Sequence, residues 1–252
     1  MCNTKPSKLA AILFAASGLI AGTASASVIN LPNSNFETGT LSSWSSIGTV
    51  SATGSTTVTT FDSVVWSISA AGTTMAQLVS NGAPISSIES TLGIAPGTLD
   101  ALNTNPDSGT LTNGSALYQS FSGNAGDTLS FSWDYVATDY IPYNDPSFAL
   151  LIGPSNSVSV LASIHGLGLP VGTSGHSGWQ SYSATLGSSG NYTLAFVTTN
   201  DKDEILDSHL FIDNVAGSCN PTCPPPVNKV PEPGTLAIFG LGLAMLAVRR
   251  KH

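Results

Sequence analysis

The chain has 252 residues, of which 15 are acidic and 7 basic, so its formal net charge is −8 and only 9% of it is charged. Between residues 27 and 228 the imbalance is steeper, with fourteen acids against one base, Lys202; such a surface repels phosphate backbones and argues against nucleic acid as a partner. With both ends set aside, about 200 residues remain, room for one domain with a sizeable core, and the wealth of Ser, Thr, Gly and Asn suits a β protein with neutral polar turns.

At the N-terminus Lys5 and Lys8 precede an apolar stretch from Leu9 to Ile20, and Ala24-Ser25-Ala26 supplies the small residues that a signal peptidase needs. This predicts a secretory signal peptide over 1–26, cleaved before Ser27. Cys2 lies at the edge of the signal and is lost with it. The mature chain then opens on Asn33-Ser34-Asn35-Phe36-Glu37-Thr38-Gly39, with Leu41 and Trp44 following. This phrase resembles the first strand of carbohydrate-binding-type jelly rolls. The resemblance implies that Phe36 and Trp44 are core, that the first and last strands lie side by side, and that Glu37 and Asp213 hold a structural calcium between them, hard oxygen donors suiting that ion.

From Thr49 to Ala71 the Thr, Val and Ser content, centred on Val64, Val65, Trp66 and Ile68, predicts two strands with turns near Gly54 and Asp62. Ile85, Ile88 and Leu92 recur at helical spacing after Pro84, with Ser86 or Ser87 available as caps, Gly93 as a stop and Pro96 opening a second short turn with Leu99 and Leu102. The strongest β signal follows. Leu117, Gln119 and Phe121 alternate, Gly126-Asp127 turns, and Leu129, Phe131, Trp133 and Tyr135 alternate with Ser130, Ser132 and Asp134. That period of two sets the aromatics against a core and their polar partners toward water. Strands are further predicted at 148–152, 158–164, 180–186, 192–198 and 210–215, for nine or ten in all, with a loop from Gly166 to Gly178. The fold expected is all-β: an antiparallel two-sheet, jelly-roll-like sandwich over 27–217 with one or two short helices.

Residues 218–229, rich in proline, read as a semi-rigid stalk. Cys219 and Cys223 within it are spaced for a small local disulfide in an exported protein, provided the turn brings their Cα atoms together; free thiols are the alternative. Pro231-Glu232-Pro233 then precedes an uncharged run from Gly234 to Val248, closed by Arg249, Arg250 and Lys251. The prolines keep the triplet extended, the run can enter a bilayer as a helix, and the cations stop it at the anionic face. At ~1.5 Å per residue the run reaches only about 22 Å of a core roughly 30 Å thick, which suits a transient anchor.

Val230 to Leu236, the apolar helix and the basic end together resemble the PEP-CTERM sorting signal of Gram-negative bacteria. The resemblance implies export and removal of the tail by a membrane-embedded cysteine protease, an exosortase. Five further phrases are similar to a recurrent domain of such proteins: Leu92 to Leu99, Asn113 to Ala116, Phe131 to Tyr135, Tyr143 to Asp145, and Asp207-Ser208 with Phe211 to Val215.

Chemistry has little to stand on. His165, His176 and His209 lie in separate segments outside any H-E-x-x-H phrase, no G-x-S-x-G elbow occurs, and no acid is embedded in an apolar phrase as a glycosidase would need. Besides Glu37 and Asp213, acids cluster at Asp139 to Asp145 and at Asp201 to Asp207; all three clusters read either as calcium sites or as ordinary solvated turns. Tyr140, Tyr143 and Trp179, near loops, are the rings available to a polysaccharide. The expectation is a non-enzymatic, exported surface or extracellular-matrix protein, structural or adhesive, in contact with signal peptidase and exosortase and, through 234–248, with the membrane in transit. A carbohydrate-binding module for extracellular polysaccharide is the alternative, and a secreted enzyme is the third reading.

Overall fold

The alternation at residues 129–135 folds as its period demands. In a computed structural model of the chain, which describes residues 29–105 and 107–220, Leu129, Phe131, Trp133 and Tyr135 are all buried on one face of a single strand. The signal peptide, Cys223, the rest of the stalk, Pro231, Glu232, Pro233, the apolar run and Arg249, Arg250 and Lys251 lie outside the described residues.

The strands are β1 (Ser45–Ile47), β2 (Thr49–Thr53), β3 (Thr56–Thr59), β4 (Val65–Ile68), β5 (Met75–Val79) and β6 (Ala83–Pro84). Helix α1 (Ile85–Leu92) and a 3-10 turn at Asp100–Leu102 precede β7 (Leu111–Gly123), β8 (Thr128–Val136), β9 (Ser147–Ile152) and β10 (Ser157–Ser163). The set closes with β11 (Leu169–Pro170), β12 (Gln180–Thr185), β13 (Gly190–Asp201) and β14 (His209–Ser218). One sheet runs β1-β7-β13-β9-β10-β11, with β6 beside β7; the other runs β12-β8-β14-β5-β2; β3 and β4 form a separate hairpin. All pairings are antiparallel except the short β10–β11 contact.

Between the two sheets Phe196 is fully buried, edge-on to Phe131 at 4.8 Å and 6.0 Å from Trp44, which in turn lies 5.4 Å from Phe36. Each such ring contributes roughly 1.5–3 kcal/mol by leaving water. The outer face of the first sheet is covered as well: Ile85, Ile88 and Leu92 of α1 and Leu99 pack on Phe148, Leu150, Ala195 and Val197. Strand β9 is therefore buried on both faces, which explains its apolar run from Phe148 to Ile152. Helix α1 ends on Gly93 at φ 69°, the left-handed conformation that glycine adopts without strain.

Four expectations are corrected. Asp134 faces not water but a fourth layer: β3, β4 and the segment 174–179 cover the outer face of the second sheet, and Asp134 is buried beneath them. Phe36 and Trp44 are core as expected, yet Phe36 lies in a turn with φ 57°, and Asn33 has φ 52°, so the segment cannot extend into a strand. It still meets the last strand, Val215 N donating to Ser34 O at 3.0 Å. The helix starts at Ile85, which places Ser86 and Ser87 inside the first turn, and no side chain caps it. Fourteen strands occur among the described residues because β1, β6 and β11 have only two or three residues each, and because 49–71 makes three strands and Met75–Val79 another.

Candidate functional site

Three loops meet at one end of the sandwich: residues 60–64 at the tip of the β3–β4 hairpin, 137–146 between β8 and β9, and 202–208 between β13 and β14. Phe61 N donates to Thr138 O at 3.3 Å, and Lys202 Nζ donates to Pro142 O at 2.9 Å and to Asp107 O, stitching the loops together. Their side chains form an aromatic platform. The ring of Phe61 lies 4.9 Å from Tyr140, which meets Tyr143 edge-on at 5.3 Å. Phe61, Tyr140, Ile141 and Ile205 are four of the most exposed large apolar residues among those described. Beside the platform an open groove of about 450 Å³ is lined by Thr59, Phe61, Thr138, Leu206, Asp207 and His209.

Beneath the platform lies a buried acidic layer. Asp145 Oδ1 accepts from Asp201 N at 3.0 Å, and its Oδ2 accepts from Ser208 Oγ at 2.8 Å. Asp201 accepts from Gly109 N, Asn103 Nδ2 and Asn144 N. Burial holds both carboxyls above the usual carboxylate range, Asp145 well above it. Asp139 accepts from Tyr140 N at 2.7 Å through Oδ1, while Oδ2 has no hydrogen-bond partner among the described residues; burial pushes it up to about 6. His209, behind the groove, accepts at Nδ1 from Gln77 Nε2 at 2.9 Å and is pulled down to about 4 by burial. These acids fasten backbone N–H groups of neighbouring loops, and in that role they are structural.

Glu37 and Asp213 are brought to one loop. Glu37 accepts from Thr73 N at 2.9 Å, from Thr74 N and from Thr73 Oγ1, whose donation holds its carboxyl below the usual range. Asp213 accepts from Ala71 N at 3.0 Å and Asn214 N at 2.7 Å; burial foremost, and the Glu37 charge in addition, hold it above the usual range. Trp179 is half-buried at the far end of the hairpin, its Nε1 donating to Ser69 O at 2.9 Å, and no ring contact joins it to Tyr140 or Tyr143. Cys219 is half-buried with Sγ 3.9 Å from Asp127 Oδ2. Among the described residues no three of His, Cys, Asp or Glu converge as a metal site, and no helix is long and apolar enough to cross a membrane.

Sequence reasoning missed Phe61 and the His176–Asp134 pair. His176 Nε2 lies 2.8 Å from Asp134 Oδ1 under the ring of Trp66, 4.8 Å away, whose Nε1 donates to Ser174 O. Phe61 carried one signal, a large ring directly before the predicted turn at Asp62, where a core residue has no reason to be. The pair carried none.

Fold and tail together define a β-sandwich protein equipped for sorting out of the cell. The family description PEP-CTERM protein-sorting motif matches residues 229–251, the mark of an exported, exosortase-processed protein. No curated protein matches the sequence. Among solved structures the chain is similar to TmCBM61 in complex with β-1,4-galactotriose, at 15% identity over 75% of this chain and 97% of that one, TM-score 0.42. It is also similar to the K3 cleaved adhesin domain of Lys-gingipain from Porphyromonas gingivalis, at 14% identity over 78% of this chain and 100% of that one, TM-score 0.40.

Proposed function

We propose that the protein is an exported surface or extracellular-matrix component with a structural or adhesive role, delivered to the envelope by a tail that an exosortase removes. The observation that carries this reading is the sorting motif at 229–251 behind a β-sandwich whose deep acids are occupied in holding its own backbone. In this reading signal peptidase cuts before Ser27, residues 234–248 hold the chain in the inner membrane during transit, and the stalk expected over 218–229 begins only after Asn220, since Ser218 belongs to β14 and Cys219 packs on the sandwich, with a Cys219–Cys223 disulfide at its base. The protein is not an enzyme in this account. Mass spectrometry of the protein from its native cells tests the reading: mature molecules begin at Ser27 and end near residues 231–233. Intact chains recovered from the cytosol, residues 1–26 and 234–252 included, overturn it.

A second reading, carbohydrate binding, is favoured by one observation: exposed Phe61 and Tyr140 and half-exposed Tyr143 cluster beside a polar groove, tilted to one another so that a single ring at a time is offered to a sugar face. Affinity electrophoresis on soluble polysaccharides separates the two. Retardation lost on Tyr140→Ala and Tyr143→Ala supports binding at the platform, and loss on Trp179→Ala alone moves the contact to the other end of the hairpin. A structural calcium at Glu37 and Asp213 is supported by donor chemistry, two hard carboxylates drawn to the 71–74 loop, and such an ion would take over oxygens that now accept from Ala71, Thr73, Thr74 and Asn214.

A further inference from the structure

The fourteen acids of the mature region are not spread evenly. Residues 146–200 contain no Asp, Glu, Lys or Arg, and that stretch supplies β9, β10, β11, β12 and almost all of β13. Strand β12 ends its sheet on the same side of the sandwich as β10, which only the two-residue β11 follows in the other sheet, and the two are joined by Ser159 Oγ and Tyr182 Oη at 2.8 Å. One lateral side of a strongly acidic protein is therefore poor in charge, with half-exposed Asp107, 3.5 Å from His165 beyond the end of β10, at its margin. The opposite side is bridged by the chain itself, which passes from β1 to β2 through Gly48 alone and is pinned by Thr49 N donating to Ser115 Oγ at 2.6 Å.

On this side the two edges differ. The β10 edge is covered from Val160 to Ser163 by β11 and by the turn before it, where a Cβ on Gly168 would stand 2.7 Å from Val160 O and Leu161 O, which leaves only the short stretch Ser157–Ser159 without a second strand. The β12 edge is covered by nothing among the described residues. Its six residues pair with β8 in unbroken register from Gln180↔Trp133 to Thr185↔Thr128, and no other strand pairs with them. Ser181, Ser183 and Thr185 point to solvent and Tyr182 points inward. Proteins ordinarily guard such an edge with a charge, a proline, a bulge or a short length. Strand β12 has none of these, and the nearest acids, Asp127 and Asp134, are both buried.

We propose that β12 pairs antiparallel with β12 of a second copy of this chain, giving a two-fold dimer with one continuous ten-stranded sheet. The occupant follows from charge. A neutral edge offers a charged partner nothing to recognise, whereas two copies bearing thirteen net negative charges apiece meet with least repulsion where neither displays any. An antiparallel strand edge is also self-complementary under a two-fold axis. One six-residue strand pair is small beside the ~1,200–2,000 Å² of a stable complex, so the association is weak and depends on concentration. It does not depend on the sorting reading: a chain that never met an exosortase would pair in the same way.

Sedimentation velocity on the mature protein as its cells export it, across a concentration series at low and high salt, tests the inference. The expected result is a monomer-to-dimer shift that strengthens with salt, because salt screens the acidic repulsion. Ser181→Lys with Ser183→Lys places like charges across the two-fold and weakens dimerisation by about tenfold or more. Ser51→Lys, exposed on β2 at the other end of the same sheet, leaves it unchanged. Should the double variant melt early, Thr185→Lys at the strand's end repeats the measurement. Wild-type protein that stays monomeric at high concentration and high salt overturns the proposal. So does a lysine pair that dimerises as wild type, or a Ser51→Lys effect of equal size.

Discussion

Asp139 and His209 lie at the same end of the molecule and are buried in opposite senses. Asp139, raised to about 6 against an ordinary value near 3.8, binds its proton more tightly folded than unfolded. Its contribution to stability therefore falls as pH rises through that window. His209, lowered to about 4 from 6.5, binds its proton less tightly when folded, and stability is lost as pH falls from 6.5 toward 4. Each pKa unit is worth about 1.4 kcal/mol, so each group contributes at most about 3 kcal/mol, Asp139 less because solvent screens part of its charge, and between about pH 4 and 6 the two slopes oppose. Single variants should expose them. Asp139→Asn makes stability fall more steeply on acidification than in wild type, and stabilises the protein at pH 8 by about 1–2 kcal/mol. His209→Gln tilts the profile the other way. Urea unfolding at pH 4.5 and pH 8 reads both, and equal profiles for wild type and either variant remove the assignment.

At the level of elements the informative piece is the β3–β4 hairpin, since it turns a two-layered sandwich into a fold with a covered outer face. Only Val58 and Ile68 of its strands are buried, so its hold depends on Trp66, which donates to Ser174 O at 2.8 Å and covers His176. Trp66→Ala should cost about 2–3 kcal/mol and open the tip at 60–64 to protease before global unfolding. Glu89 does comparable work on the other outer face: 2% exposed, it accepts from Gly97 N at 2.8 Å and Leu99 N at 2.9 Å. Glu89→Ala, leaving those donors buried and unmet, should cost about 1–3 kcal/mol by urea denaturation. These two elements show what was legible in the chain. The 129–135 alternation and the α1 stop at Gly93 are local signals, and both hold. The hairpin's position is not local: nothing near Asp134 says that residues 174–179, some forty positions on, will close over it. The platform escaped for the same reason, Phe61 and Tyr140 being 79 residues apart and joined only by the fold.

For the whole molecule the governing quantity is an excess of negative charge with few cations to offset it. Self-repulsion of that kind destabilises the compact state, so rising sodium chloride should raise the melting temperature gradually through screening. Calcium would act differently. Glu37 and Asp213 converge on the 71–74 loop, which joins the hairpin to β5, so an ion there would tie the N-terminal segment, that loop and the last strand together. Binding to the folded state alone stabilises by about 2.7 kcal/mol at a hundredfold excess over Kd, several degrees for a domain of this size. Chelated protein should therefore melt higher in calcium chloride than in sodium chloride of equal ionic strength. Glu37→Gln with Asp213→Asn should abolish the difference while leaving the sodium response, because twelve of the fourteen acids remain. Identical melting in the two salts at matched ionic strength would reduce the Glu37–Asp213 pair to a loop clamp held by backbone N–H groups.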